Sequence, residues 1–258
     1  MRILFVGDIF GRPGRSILKE KLPELRSTEG PFDFIIVNCE NAAAGFGMTE
    51  RLMDELFAEG VDIMTSGNHI WDKKEFVPVL DRESRMLRPA NYPPGSPGLG
   101  WGIYEKHGGK LGVINLQGRA FMPPIDCPFR RTDAILEEMN ASVILVDFHA
   151  EATAEKIALG RYLDGRVSAL VGTHTHVQTA DESIMPGGTA YITDVGMTGG
   201  QGGVIGNSFD SVLPKFLYSI PAKFEVEESM PKLHGVVIDI EDETGRAFDI
   251  KRISVGSG

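Results

Sequence analysis

Five short apolar runs, each breaking off at residues able to hold a metal, constrain how this chain of 258 residues can fold. Ile3 to Val6 runs into Gly7-Asp8, Phe34 to Val37 into Asn38-Cys39-Glu40-Asn41, and Val61 to Thr65 into Ser66-Gly67-Asn68-His69. Val143 to Val146 leads to His149, and Val167 to Val171 leads to His174-Thr175-His176. Apolar runs of this length, bounded by turn formers, read as buried strands. Helical stretches separate them, near Arg15 to Leu25, from Thr49 to Gly60, near Thr132 to Met139 and around Thr153 to Leu163. Thr49 reads as an N-cap, with Leu52, Met53 and Leu56 as the apolar stripe and Gly60 as the stop. Strand and helix in alternation place the chain in the α/β class.

The remaining segments read as punctuation. Asp72 and Glu75 stand at capping-box spacing before Phe76 and predict another short helix. Pro89, Pro93, Pro94 and Pro97 mark an irregular loop. Two hairpins are expected: Ile103 to Lys106 with Leu111 to Leu116, and Gly235 to Ile240 with Ala247 to Ile253. A strand over Ala190 to Thr193 precedes a glycine-rich loop from Gly196 to Gly206. No repeat or interdomain linker interrupts the pattern, so residues 1–258 read as one domain. No apolar stretch approaches the ~20 residues of a membrane span, and no leader pattern follows Met1. Two cysteines are too few for a disulfide framework, which points to the cytoplasm. A net charge of −10 disfavours duplex nucleic acid as a partner.

Ligands of open α/β sheets gather beyond the carboxyl ends of the strands. Four of the six histidines fall at such ends here, while His107 in a turn and His234 in a late strand read as structural or solvated. In the extended segment past Val171, alternation points His174 and His176 to one side and Thr175 to the other. The candidate donors are carboxylates, carboxamides and imidazoles, without a thiolate. That set suits manganese, iron or zinc and is large enough for two ions. Cys39 reads as a small core residue. Two adjacent divalent cations suit a phosphate ester.

Gly7-Asp8-Ile9-Phe10-Gly11-Arg12-Pro13-Gly14-Arg15, Asn38-Cys39-Glu40-Asn41, the stretch from Gly172 to Glu182, and Asp194-Val195-Gly196-Met197-Thr198-Gly199 together resemble the bacterial YmdB-type phosphodiesterases. These are a branch of the calcineurin-like metallophosphoesterases. The chain departs from the wider superfamily at three places. Phe10 stands where a metal-binding histidine is usual, Glu40 where the bridging aspartate is usual, and Thr173 is an extra residue before His174. The YmdB-type branch shares these departures, and in it Asn41 helps replace the missing histidine.

The resemblance implies a four-layer α/β/β/α sandwich, two central mixed sheets flanked by helices. It implies two divalent ions, iron or manganese with zinc as the alternative. One would be held by Asp8, Glu40, Asn41 and His176, the other by Glu40, Asn68, His149 and His174. It further implies hydrolysis of 2′,3′-cyclic nucleotides at the 2′ bond by a metal-bridging hydroxide, with His69 as proton donor. A small phosphodiester or cyclic nucleotide is then the expected partner, and a homo-oligomer is compatible with it. Arg12, Arg15 and Arg119 are weak candidates for phosphate binding, each more readily read as a solvated surface residue. Two alternatives belong to other classes: a metal-dependent nucleotide-binding regulator with incidental hydrolysis, and a dizinc amidohydrolase.

Overall fold

The computed structural model describes residues 1–257. The chain opens with β1 (Arg2–Val6), β2 (Asp8–Ile9), α1 (Gly11–Thr28), β3 (Phe34–Asn38), α2 (Glu50–Ala58) and β4 (Ile63–Thr65). Next come α3 (Val77–Leu80), β5 (Trp101–Lys106), β6 (Gly109–Gln117), α4 (Pro128–Glu138), β7 (Val143–His149), α5 (Thr153–Leu163) and β8 (Ala169–Thr173). The last part holds β9 (Ser183–Ile184), β10 (Ala190–Ile192), β11 (Met197–Gly200), α6 (Phe209–Tyr218), β12 (Pro231–Ile240) and β13 (Ala247–Gly256).

Two mixed sheets result. The first runs β2-β11-β12-β1-β3-β4, with β13 also paired to β12. In it β1, β3 and β4 are parallel, and β12 lies antiparallel to β1. The second runs β5-β6-β7-β8-β10-β9, with β6, β7, β8 and β10 parallel.

Side-chain alternation along single strands builds the layers. Ile3 and Phe5 of β1 join Phe34 and Ile36 of β3, and Val143 and Leu145 of β7, in a core shared by the two sheets. Leu4 and Val6 face the other way, onto Ile17, Leu18, Leu22 and Leu25 of α1 and Leu52, Met53 and Leu56 of α2. Ile144, Val146 and Phe148 pack outward with Ile135 of α4 and Leu159 and Leu163 of α5. The order is therefore helix, sheet, sheet, helix, as expected. Covered on both faces, the strands carry continuous apolar runs rather than an apolar–polar alternation. Fully burying each such side chain contributes about 1.5–3 kcal/mol. Replacing Leu18, at the centre of the α1 stripe, with alanine would cost about 2–5 kcal/mol.

Local signals hold where the chemistry is local. Thr49 Oγ1 accepts the Leu52 N–H at 3.4 Å, and Gly60 ends α2 at φ +89°. Asp72 is different: the short 3-10 turn Lys74–Phe76 starts after Lys73, so Asp72 is not its N-cap, and its carboxylate turns to His69 instead. β11 lies inside the expected glycine-rich loop. A Cβ at Gly200 would stand 2.1 Å from the Glu227 carbonyl oxygen, so the close backbone approach requires glycine there and hides the strand in the sequence. α6 was not expected either: it carries Pro214, buries Val212, and leaves Phe216, Leu217 and Tyr218 exposed. Among the described residues no helix is long and apolar enough to cross a membrane.

Candidate metal centre

The carboxyl ends of strands from both sheets meet at one cluster. Glu40 Oε1 lies 3.0 Å from His149 Nε2, which is itself 3.0 Å from His174 Nδ1. Donor atoms of these three residues all fall within 4.8 Å of one another. Asp8 Oδ2 accepts the His174 backbone N–H at 3.0 Å. The other oxygen of Asp8, Oδ1, and the side-chain oxygens of Asn41 and Asn68 are buried without a hydrogen-bond partner. Each such buried, unpaired acceptor costs about 1–3 kcal/mol. Gly67 keeps the space open, since a Cβ there would stand 2.1 Å from Glu40 Oε2 and 2.2 Å from His149 Nε2. Unpaired oxygens and imidazoles around a cleft without side-chain filling fit divalent cations with oxygen and nitrogen ligands.

The electrostatics point the same way. Burial pushes the Asp8 carboxyl well above the usual range, and Asp194 and Glu40 reinforce it against the opposing charge of His149. Burial also works against ionisation of Glu40, but the positive His149 beside it wins and holds the carboxyl down to about 2. The same pairing lifts His149 to about 9 against the effect of its own burial. Burial, then the charge of His149, pushes His174 down to about 3, and burial lowers His176. Without a cation the cluster therefore holds one charged imidazole paired with Glu40 and two neutral ones.

Four of the candidate donors, His149, His174, His176 and Asn41, are also held through a second atom. His149 Nδ1 donates to Thr173 Oγ1 at 2.9 Å, and that hydroxyl donates to Asp147 Oδ1 at 2.8 Å. Asp147 also accepts from Thr65 and Asn38, so it is fully held. Thr173, the extra residue of the motif, is thus the link that orients His149. His176 Nδ1 donates to the Ile205 carbonyl at 3.0 Å, and His174 Nε2 lies 3.2 Å from Glu151 Oε2. Asn41 Nδ2 donates to the Gly45 carbonyl at 2.9 Å, which leaves its oxygen unpartnered. Fixing the outer atom of a ligand in this way sets its tautomer and orientation.

Strand alternation does not bring His174 and His176 together. β8 ends at Thr173, and the two histidines sit at φ +99° and +67° in the turn beyond it. Both nevertheless line the cleft. The turn is pinned by Asp194, whose Oδ2 accepts both the backbone N–H and the hydroxyl of Thr175, at 3.1 and 2.8 Å. Asp194 in turn faces Lys156 Nζ at 2.6 Å, and both side chains are fully buried. Lys156, Asp147, Asp72 and Glu151 were not legible as site partners, because an isolated charged residue carries no local mark of its partner.

His69 also lines the cleft, with Nδ1 2.8 Å from Asp72 Oδ2 and its ring edge-on to Phe46. Phe10 stands edge-on to His176, with ring centroids 5.5 Å apart. Of the basic candidates, Arg12 is 71% exposed and paired with Glu228, and Arg15 donates to the Ala42 carbonyl. The Arg119 guanidinium donates to Cys127 Sγ. None of the three lines the cleft. Cys39 is buried in the core, as expected, and burial pushes its thiol up. His107 occupies the β5–β6 turn at φ +51°, and burial, with Lys232, lowers half-buried His234 to about 4.

Two helix-flanked mixed sheets with this cluster at their strand ends define a calcineurin-like metallophosphoesterase, a class that uses divalent metals, and exclude the barrel of a dizinc amidohydrolase. Within that class the chain belongs to the YmdB-like family, whose family model, "YmdB-like protein", matches residues 4–253. It is 51% identical over 257 residues to the 2′,3′-cyclic-nucleotide 2′-phosphodiesterase of Bacillus subtilis, covering 99% of this chain and 97% of that protein. A crystal structure of a hypothetical protein from Thermus thermophilus superimposes with TM-score 0.95 at 42% identity, covering 100% of both chains. That of a phosphatase from Mycoplasma pneumoniae superimposes with TM-score 0.94 at 33% identity, over 99% of this chain and 93% of that one.

Proposed function

We propose that this protein is a phosphodiesterase that opens 2′,3′-cyclic nucleotides at the 2′ bond with two divalent cations. The observation that carries the reading is the pair of buried oxygens of Asp8 and Asn41, left without hydrogen-bond partners beside Glu40, His149 and His174. The relative in Bacillus subtilis, 51% identical along the whole chain, bears the name of that reaction.

In this reading Asp8, Glu40, Asn41 and His176 hold one ion, and Glu40, Asn68, His149 and His174 hold the other. The oxygen and nitrogen ligands suit iron, manganese or zinc, and the likeness to the YmdB-type branch favours iron or manganese. The ions supply the Lewis acidity that in-line displacement at phosphorus requires. Asp72 fixes His69 through Nδ1 at 2.8 Å, which leaves the other ring nitrogen to protonate the departing 2′-oxygen. Residues 1–258 act as a single catalytic domain, in the cytoplasm, on a small nucleotide rather than on duplex nucleic acid or a membrane.

Protein purified without chelator should carry two iron or manganese ions per chain. It should cleave 2′,3′-cyclic AMP to the 3′-monophosphate and cleave bis(p-nitrophenyl) phosphate, with simple monoesters poorer. Chelation should abolish both activities and readdition should restore them. Tight binding of the cyclic nucleotide with negligible turnover by the metal-loaded protein would instead make it a regulator.

A further inference from the structure

The cleft over the metal centre encloses about 280 Å³, at the small end for a ligand pocket. A cyclic phosphate and its ribose occupy much of that space, so a nucleobase needs room elsewhere. A second cavity of about 590 Å³ adjoins the cleft and shares two of its walls, Phe46 and Phe224. Its remaining lining is Ala44, Pro221, Ala222 and two lysines, Lys215 and Lys223, with no acidic side chain. In a chain of net charge −10 that is a locally basic and aromatic surface.

Phe46 is held at the tip of a turn between Gly45 and Gly47, at φ +92° and +70°, only five residues beyond Asn41. It is 36% exposed, and its ring meets His69 of the cleft edge-on with centroids 5.0 Å apart. Lys215 Nζ stands 5.1 Å from the centroid of the Phe224 ring, within cation–π range. Aromatic faces flanked by ammonium groups are what a stacked base and its electron-rich edge require.

We propose that this adjoining cavity is the nucleobase subsite, with Phe224 and Phe46 as its aromatic walls and Lys215 and Lys223 at its rim. The proposal rests on the phosphodiesterase reading above. It makes the substrate a true nucleotide rather than any small cyclic phosphodiester.

The test compares 2′,3′-cyclic AMP with ribose 2′,3′-cyclic phosphate, which carries the same scissile ring and no base, using the metal-loaded protein. KM for the base-free compound should be roughly tenfold higher, in line with the loss of one base–aromatic stack. Phe224→Leu keeps an apolar side chain but no aromatic face, and should bring the two KM values together, whereas Phe224→Tyr should keep them apart. Adenosine should inhibit wild-type hydrolysis of bis(p-nitrophenyl) phosphate competitively, and ribose at the same concentration should not, a measurement that needs no variant. Equal KM values in the wild type, a gap that survives in Phe224→Leu, or adenosine without effect would each overturn the subsite. Wild-type protein with both ions bound that cleaves neither cyclic compound removes the phosphodiesterase reading itself, and is distinguished by that first measurement.

Discussion

Lys156 on α5 and Asp194 beyond β10 form an ion pair of 2.6 Å with no exposure to solvent, and the carboxylate of that pair also holds Thr175 between the two cleft histidines. The pair lies beneath the turn that sets His174 and His176 at positive φ. A buried charge left without its partner costs about 3–5 kcal/mol. Lys156→Met should therefore lower stability by that amount. The double variant Lys156→Met/Asp194→Asn removes both charges and should recover most of the loss. It should still bind metal more weakly than wild type, because an amide cannot accept from Thr175 and Gly196 as the carboxylate does. Denaturant titration and metal titration separate the two effects. A double variant with wild-type metal affinity would reduce the pair to a purely structural role.

Two substitutions probe the centre itself. Gly67→Ala places a methyl group 2.1 Å from Glu40 Oε2 and should eliminate metal loading while the sheets remain folded. Glu40→Gln keeps the size of the side chain but removes the charge proposed to be shared by both ions. Its activity should fall below about 1% of wild type, more than the 10- to 100-fold typical of a residue that only supports a ligand. Metal analysis, circular dichroism and turnover should be measured on the same preparations. Two bound ions and near-normal turnover in Glu40→Gln would end the bridging assignment.

His69 should matter according to the leaving group. A ribose 2′-oxygen departs poorly without a proton, whereas p-nitrophenolate departs readily. His69→Ala should lose roughly 10²–10⁴-fold on 2′,3′-cyclic AMP and far less on bis(p-nitrophenyl) phosphate, with both ions retained. Asp72→Asn should show the same bias at smaller size, since it disturbs only the group bonded to His69 Nδ1. Equal losses on the two substrates would return His69 to a structural role.

Metal uptake should release a proton. With no cation present Glu40, Asp8 and Asp147 raise His149 to about 9, above the ordinary histidine value. That raised value stabilises the metal-free protein fully below about 6.5, and the stabilisation is lost as pH rises through about 9. A cation has to displace the same proton, so affinity should strengthen by about tenfold per pH unit from 7 to 9. Calorimetry in buffers of different ionisation enthalpy would count the proton. Affinity that does not change over this range would show that His149 is already neutral or does not bind metal.

The gathering of the candidate donors at the strand ends was legible from the amino-acid sequence because its signals are local. Apolar runs such as Ile3 to Val6 and Phe34 to Val37 identify strands buried on both faces, and the carboxyl ends of such strands are where α/β ligands collect. Asp8, Glu40, Asn68 and His149 could each be placed by that rule from a handful of neighbouring residues. The turn carrying His174 and His176 could not, because its positive φ values depend on Asp194 and Lys156, which lie in other elements. Nor could the aiming of His149 by Thr173 and Asp147, or the turning of Asp72 from a helix cap to His69. A Lys in α5 has the same local sequence mark whether it faces water or, as Lys156 does, a buried carboxylate 38 residues away. Hydrophobic period and turn chemistry are properties of adjacent residues and survive in one dimension, whereas the partners of buried charges are chosen only when sheets and helices pack.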